Sequence, residues 1–223
     1  RLSACDFTLD DFSLELNLEK LQEIEIEDCA FTSKNLSRLL IAAALGLESL
    51  SISDCKGFNE PLVIEKGRLN KLREIQLFFK EESGDISRII ESILCASPQL
   101  EKLEIKTINY KKTTIDVLQL GQKSLEKLKA LSTEHISYKG ESFISILHAA
   151  PYLETICISD SGGENPIKLP GEKLENLQNI YFNRVSLGDG VIESLSVIAP
   201  KLETISIVHG TNPLNTPGKT LAL

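Results

Sequence analysis

The cysteines and histidines are the side chains of this chain that could carry nucleophilic or metal chemistry, and neither set is arranged for it. The cysteines are Cys5, Cys29, Cys55, Cys95 and Cys157. Their number is odd and no pair has CxxC spacing, so we expect free thiols in a reducing compartment. The histidines are His135, His148 and His209, with no HExxH, GxSxG or Walker sequence beside them. The sequence therefore predicts a non-enzymatic protein with no catalytic residue, metal or cofactor.

The charge and the hydropathy of the chain limit the classes of partner that it is expected to bind. The 223 residues carry a formal net charge of -8, whereas nucleic-acid recognition normally needs clustered Lys and Arg. No apolar run approaches the roughly 20 residues of a membrane span. We therefore expect neither nucleic acid nor membrane as a partner, and a cytoplasmic location. Because the chain starts at Arg1 and contains no methionine, we expect a fragment of a longer protein.

A short apolar phrase recurs along the chain and predicts its fold. The phrase is leucine, two residues, an apolar residue, one residue and an apolar residue, and its starts are Leu21, Leu47, Leu72, Leu100, Leu125, Leu153, Leu177 and Leu202. A phrase that returns at nearly regular intervals along a chain predicts a fold of stacked repeats. Positions 4 and 6 alternate with polar residues, which indicates a strand with one buried face. Helically spaced apolar residues between the strands predict helices within 36–43, 86–93, 143–150 and 191–198.

The repeat resembles that of a known family. The segment from Leu47 to Cys55 reads LESLSISDC and is similar to the LxxLxLxxC phrase of leucine-rich repeats, in particular the cysteine-containing and ribonuclease-inhibitor-like subclasses. The resemblance covers residues 1–223 as a single domain. It implies an α/β fold, a curved solenoid with a parallel sheet on the concave face and helices or irregular segments on the convex face. Extending the frame back to Cys5 gives about nine repeats.

The outward positions of the strands form the candidate binding surface. The first strand is an acidic patch of Glu23, Glu25, Glu27 and Asp28. The main candidates lie in a middle zone, which is predicted to be basic and partly apolar, and in the neutral zone after it. They are Phe78, Phe79, Lys102, Lys106, Lys127, Lys129, Leu131, Cys157, Tyr181 and Arg184. Exposed aromatic residues among polar groups are typical of an interface core. Phe79 starts a turn, so its ring can instead fold under a loop. Two cross-strand ion pairs are predicted, Glu74–Lys102 and Glu104–Lys129.

The leading functional prediction is a protein–protein interaction module that binds a protein partner on the concave face. The resemblance also implies an alternative, the substrate-recognition part of an F-box-type ubiquitin ligase receptor. Two further alternatives are a bacterial effector that binds a host protein in the host cytosol, and the targeting arm of an enzyme. Because uncapped repeat ends expose sheet edge, we also expect self-association.

Overall fold

A computed structural model describes residues 2–3, 18–57, 60–79, 86–107, 113–116, 118–139, 141–161, 166–208 and 221–222. Cys5 and His209 lie outside these residues. The elements in chain order are β1 (Leu2–Ser3), β2 (Glu23–Glu27), α1 (Ser33–Ala43), β3 (Ser49–Ser53), β4 (Glu74–Phe79), α2 (Ile86–Ala96), β5 (Lys102–Thr107), β6 (Thr113–Ile115), β7 (Ala130–Glu134), β8 (Ile136–Tyr138), α3 (Ser142–Ala149), β9 (Thr155–Ser159), β10 (Asn179–Asn183), α4 (Val191–Ile198), β11 (Thr204–Val208) and β12 (Leu221–Ala222).

The main sheet has ten strands that lie side by side in chain order, β1-β2-β3-β4-β5-β7-β9-β10-β11-β12. Every pair from β1 to β11 is parallel, and only β12 runs antiparallel, against β11. β6 and β8 form a second, two-stranded parallel sheet. The fold is therefore mixed α/β with a parallel sheet, as the sequence pattern predicted.

Each of the four predicted helices is present and buries one side. In α1, the Thr32 hydroxyl accepts a hydrogen bond from the Asn35 N–H at 3.2 Å, which caps the helix start. Leu36 and Leu40 of this helix are fully buried and belong to the same apolar cluster as Ile26 and Ile52 of the sheet. The helices and the inward strand residues thus share one core. None of the described helices combines the length and the apolar character that a bilayer crossing requires.

A regular backbone ladder fixes the register of the sheet. The backbone carbonyl of the residue before each strand accepts hydrogen bonds from two N–H groups at the start of the next strand. The Glu101 carbonyl, for example, accepts from the Lys129 N–H at 2.9 Å and the Ala130 N–H at 3.1 Å. Equivalent bonds join the other neighbouring strands from β2 to β11. The positions that share this bond are therefore equivalent from strand to strand.

This ladder corrects the predicted frame of one repeat. The phrase begins at Leu128 and not at Leu125, because Ala130 pairs with Lys102 and Leu131 pairs with Leu103. Leu131 consequently points into the core and is 1% exposed. The prediction that Leu131 lies on the outward surface is wrong.

The turns after β2, β3, β7, β9 and β10 each begin with a left-handed residue. Asp28, Asp54, His135, Asp160 and Arg184 have φ between 51° and 55°, and each donates its N–H to a carbonyl at the end of the next strand. β4 and β5 instead continue by one extended residue, so that Phe79 pairs with Thr107. Strand alternation then turns Phe79 inward, where it is 3% exposed. Its predicted place on the outward surface is wrong, and the buried alternative is confirmed.

Candidate functional site

One face of the main sheet carries a continuous set of partly or fully exposed side chains, which we call the open face. It consists of the first, third and fifth residues of β2–β5, β7 and β9–β11. The first-residue row is Glu23, Ser49, Glu74, Lys102, Ala130, Thr155, Asn179 and Thr204. The third-residue row is Glu25, Ser51, Gln76, Glu104, Ser132, Cys157, Tyr181 and Ser206. The fifth-residue row is Glu27, Ser53, Phe78, Lys106, Glu134, Ser159, Asn183 and Val208. In-register pairing places row neighbours about 4.8 Å apart.

The acidic patch lies at one end of the open face, on β2. Glu23, Glu25 and Glu27 share the face because they alternate with the buried residues of the strand. They pair in register with the three serines of β3. Asp28 follows in the left-handed turn and is exposed. The sequence therefore placed this patch in the right position.

Paired charges occupy the middle of the open face. Lys102 Nζ lies 2.7 Å from Glu74 Oε1, which confirms one predicted cross-strand ion pair. Lys106 Nζ lies 2.8 Å from Glu104 Oε1 and 3.5 Å from Glu134 Oε2. Two lysines thus face three glutamates, so the prediction of a basic middle zone is wrong.

These pairs shift the pKa values of their members. The hydrogen bond to Glu74 raises the pKa of Lys102, and the hydrogen bond to Glu104 raises that of Lys106. The pKa of Glu74 is lowered by the Lys102 ammonium and by the Gln76 amide, whose Nε2 donates to Glu74 Oε1 at 2.9 Å. Each shift favours the charged form, so the pairs persist at neutral pH.

Lys127 and Lys129 do not lie on the open face. Both are exposed and both precede β7 in the corrected frame. Lys129 Nζ lies 3.4 Å from Glu154 Oε1, so the predicted pair with Glu104 is wrong. The sequence reasoning missed Glu134, which takes the open-face place predicted for Leu131. A frame starting at Leu128 would have found it, because Leu131 and Thr133 then fall on positions 4 and 6.

Apolar side chains are exposed at two places on the open face. Phe78 is partly exposed beside Lys106, whose Nζ lies 6.0 Å from the ring centroid. Tyr181 and Val208 form the second place and are 41% and 42% exposed. They lie on the neighbouring strands β10 and β11, where Val208 pairs with the residue two beyond Tyr181. Cys157 lies next to Tyr181 in the third-residue row and is partly exposed, as predicted.

The thiols of Cys29 and Cys55 are buried under the turns and donate weak hydrogen bonds to backbone carbonyls. Cys29 Sγ lies 3.2 Å from the Glu27 carbonyl, and Cys55 Sγ lies 3.3 Å from the Ser53 carbonyl. Burial raises the pKa of Cys55 to about 11. The Cys55 thiol therefore stays neutral, and both cysteine side chains fill space in the core.

Arg184 lies in the left-handed turn after β10 and binds the Asp160 carboxylate through two nitrogens of its guanidinium group. Its Nε lies 2.7 Å from Asp160 Oδ1, and its Nη2 donates to Asp160 Oδ2 at 2.8 Å. Asp160 is also one of three described side chains whose donor atoms could hold a metal ion together, with Glu134 and His135.

A scan against protein-family models, a search of the curated proteins and a search of the solved structures each found no match. The sequence pattern and the described geometry are thus the grounds for assigning a function.

Proposed function

We propose that this chain is a leucine-rich-repeat solenoid of about nine repeats that binds a protein partner on its open face without catalysing a reaction. The solenoid part of the proposal is supported by two features. Parallel strands follow one another in chain order, and the same hydrogen-bond ladder recurs from β2 to β11. Stacked repeats place equivalent residues in rows in this way.

The observation that carries the binding proposal is the exposure of one whole face of a parallel sheet. Parallel sheets are normally covered on both faces. Here the inward residues of the strands are buried almost throughout, while every outward residue of the eight open-face strands is at least partly exposed. A broad face of this kind can accept another protein without rearranging the core.

The two apolar places give the proposed interface its anchors. The strands of Phe78 and Tyr181 are four steps apart in the sheet, which corresponds to about 19 Å. Aromatic residues that become fully desolvated supply most of the binding energy in typical interfaces. The ion pairs of Lys102 and Lys106 lie at one end of this span, where fixed charges contribute mainly to specificity.

Site-specific photocrosslinking in cells tests the proposal, with the photoreactive residue at Phe78 or at Tyr181. The control position is Val197, which is 67% exposed on α4 and therefore outside the open face. We expect at least one protein to be captured from both open-face positions and not from Val197. Equal capture from all three positions, or no capture from the open face, contradicts the proposal.

The captured protein then allows an affinity measurement with purified components. We expect Phe78→Ala and Tyr181→Ala each to weaken binding by about 1–3 kcal/mol, roughly fivefold to 150-fold. Val197→Ala serves as the matched control, since it truncates an exposed apolar residue elsewhere. Unchanged affinity in both open-face variants would rule out these anchors.

A further inference from the structure

Three side chains with metal-binding atoms meet at the carboxyl ends of β7 and β9. Glu134 is the last residue of β7, His135 follows it, and Asp160 comes directly after β9. One donor atom from each of the three lies within 4.8 Å of the other two. Of the three residues, only Glu134 belongs to the open face, and none of them is a proposed anchor for a protein partner.

The backbone holds two of these residues in matching positions. Glu134 pairs in register with Ser159, so His135 and Asp160 occupy equivalent places on neighbouring strands. Both have φ of 55°. The His135 N–H donates to the Ser159 carbonyl at 3.0 Å, and the Asp160 N–H donates to the Asn183 carbonyl at 2.8 Å. These bonds fix the direction in which both side chains leave the backbone.

The donor set identifies the class of metal. Zinc accepts imidazole nitrogen and carboxylate oxygen as ligands, and open zinc sites have three protein ligands with water in a further position. Ca²⁺ instead needs six to eight oxygen ligands, and Mg²⁺ strongly prefers oxygen. We propose that Glu134, His135 and Asp160 form a binding site for Zn²⁺.

Small side-chain movements are enough to bring the donors to zinc. Ligand atoms of a tetrahedral zinc site lie about 3.4 Å apart when the bonds are about 2.1 Å long. The donors here, within 4.8 Å of one another, therefore close by about 1.4 Å at most. The Glu134 side chain is 40% exposed and has room to take another rotamer.

Two cations beside the cluster set its affinity. Arg184 binds both carboxylate oxygens of Asp160, and Lys106 Nζ lies 3.5 Å from Glu134 Oε2. Each carboxylate oxygen keeps a further lone pair for the metal. Arg184 occupies both Asp160 oxygens, and its positive charge repels the zinc ion. Removing that charge should therefore tighten zinc binding.

Calorimetric titration of the chelator-treated chain with Zn²⁺ tests the site. We expect one equivalent to bind, and His135→Gln and Asp160→Asn each to weaken binding at least about tenfold. Arg184→Gln should tighten it several-fold. His148→Gln and Cys157→Ser are matched controls, since they remove a histidine and a thiol outside the cluster, and both should bind Zn²⁺ as the wild type does.

Circular dichroism of each variant establishes that it is folded. If Asp160→Asn fails to fold, Glu134→Gln replaces it, because that partly exposed carboxylate can be neutralised without opening the core. Absence of one-equivalent binding overturns the proposal. So does binding that survives His135→Gln, or binding that His148→Gln or Cys157→Ser weakens equally.

Discussion

Lys106 of β5 and Glu134 of β7 are register partners, and their side chains form an ion pair with Nζ and Oε2 3.5 Å apart. The pair exists because β7 begins at Ala130. A frame shifted by three residues would put Leu131 in the place of Glu134. This single register decides both the charge of the open face and the composition of the core beneath it.

The register predicts a large mutational effect on stability at Leu131 and a small one at Lys129. Leu131→Ala should lower the free energy of unfolding by about 2–5 kcal/mol, because it removes buried atoms and leaves a cavity. Lys129→Ala should change it by less than about 1 kcal/mol, since its ion pair with Glu154 is exposed. Urea unfolding at neutral pH measures both values. Small and equal effects would place Leu131 outside the core.

The extension of β4 predicts a contrast between adjacent phenylalanines. Phe79→Ala should cost about 3–5 kcal/mol of unfolding free energy, because its ring is buried in the core. Phe78→Ala should cost much less, since Phe78 lies partly exposed on the open face. Urea unfolding of the two variants side by side tests this contrast. A larger loss for Phe78→Ala would reverse the assigned orientation of β4.

The raised pKa of Cys55 predicts a loss of stability in alkali. The unfolded thiol titrates near 9 and the folded one at about 11. Between these values the unfolded state has released a proton that the folded state keeps, so the unfolding free energy falls as pH rises. The stabilising contribution of the protonated Cys55 thiol to the unfolding free energy is complete below about pH 8.5 and is lost as the pH approaches 11. The rise of the Cys55 pKa from 9.0 to about 11 corresponds to roughly 2–3 kcal/mol of unfolding free energy.

A comparison with Cys55→Ala isolates this contribution. We expect the difference in unfolding free energy between wild type and Cys55→Ala to fall by roughly 2 kcal/mol between pH 8 and pH 11. Urea unfolding under reducing conditions at a series of pH values measures it. Cys157→Ser is the control, because its thiol is on the partly exposed face. Parallel pH profiles for wild type and Cys55→Ala would contradict the prediction.

Much of the fold follows from local patterns. Alternation of Ile24 and Ile26 with glutamates predicts a strand with one buried face, and the helical spacing of Leu36 and Leu40 predicts α1. These signals are reliable because each depends on the period of one element. The acidic side chains of β2 were placed correctly for the same reason.

The candidate site was harder to predict because it depends on register between elements. Leu125, Leu128 and Leu131 are spaced by three residues, so the repeat phrase can start at Leu125 or at Leu128, and only the Leu125 start puts an apolar residue at position 6. The bond from the Lys129 N–H to the Glu101 carbonyl selects one of them. Whether Lys102 and Lys106 form a basic surface also depends on the neighbouring strands, which supply Glu74 and Glu134 as ion-pair partners.

The sequence by itself determined the repeat, the alternation of buried and exposed strand residues, and the four helices, because these depend on the spacing of apolar residues along the chain. Only the tertiary structure decided where β7 begins, that β4 runs on through Phe79, and that Glu134, His135 and Asp160 meet. Those outcomes depend on hydrogen bonds and charges between segments some 25 residues apart, which no local pattern encodes.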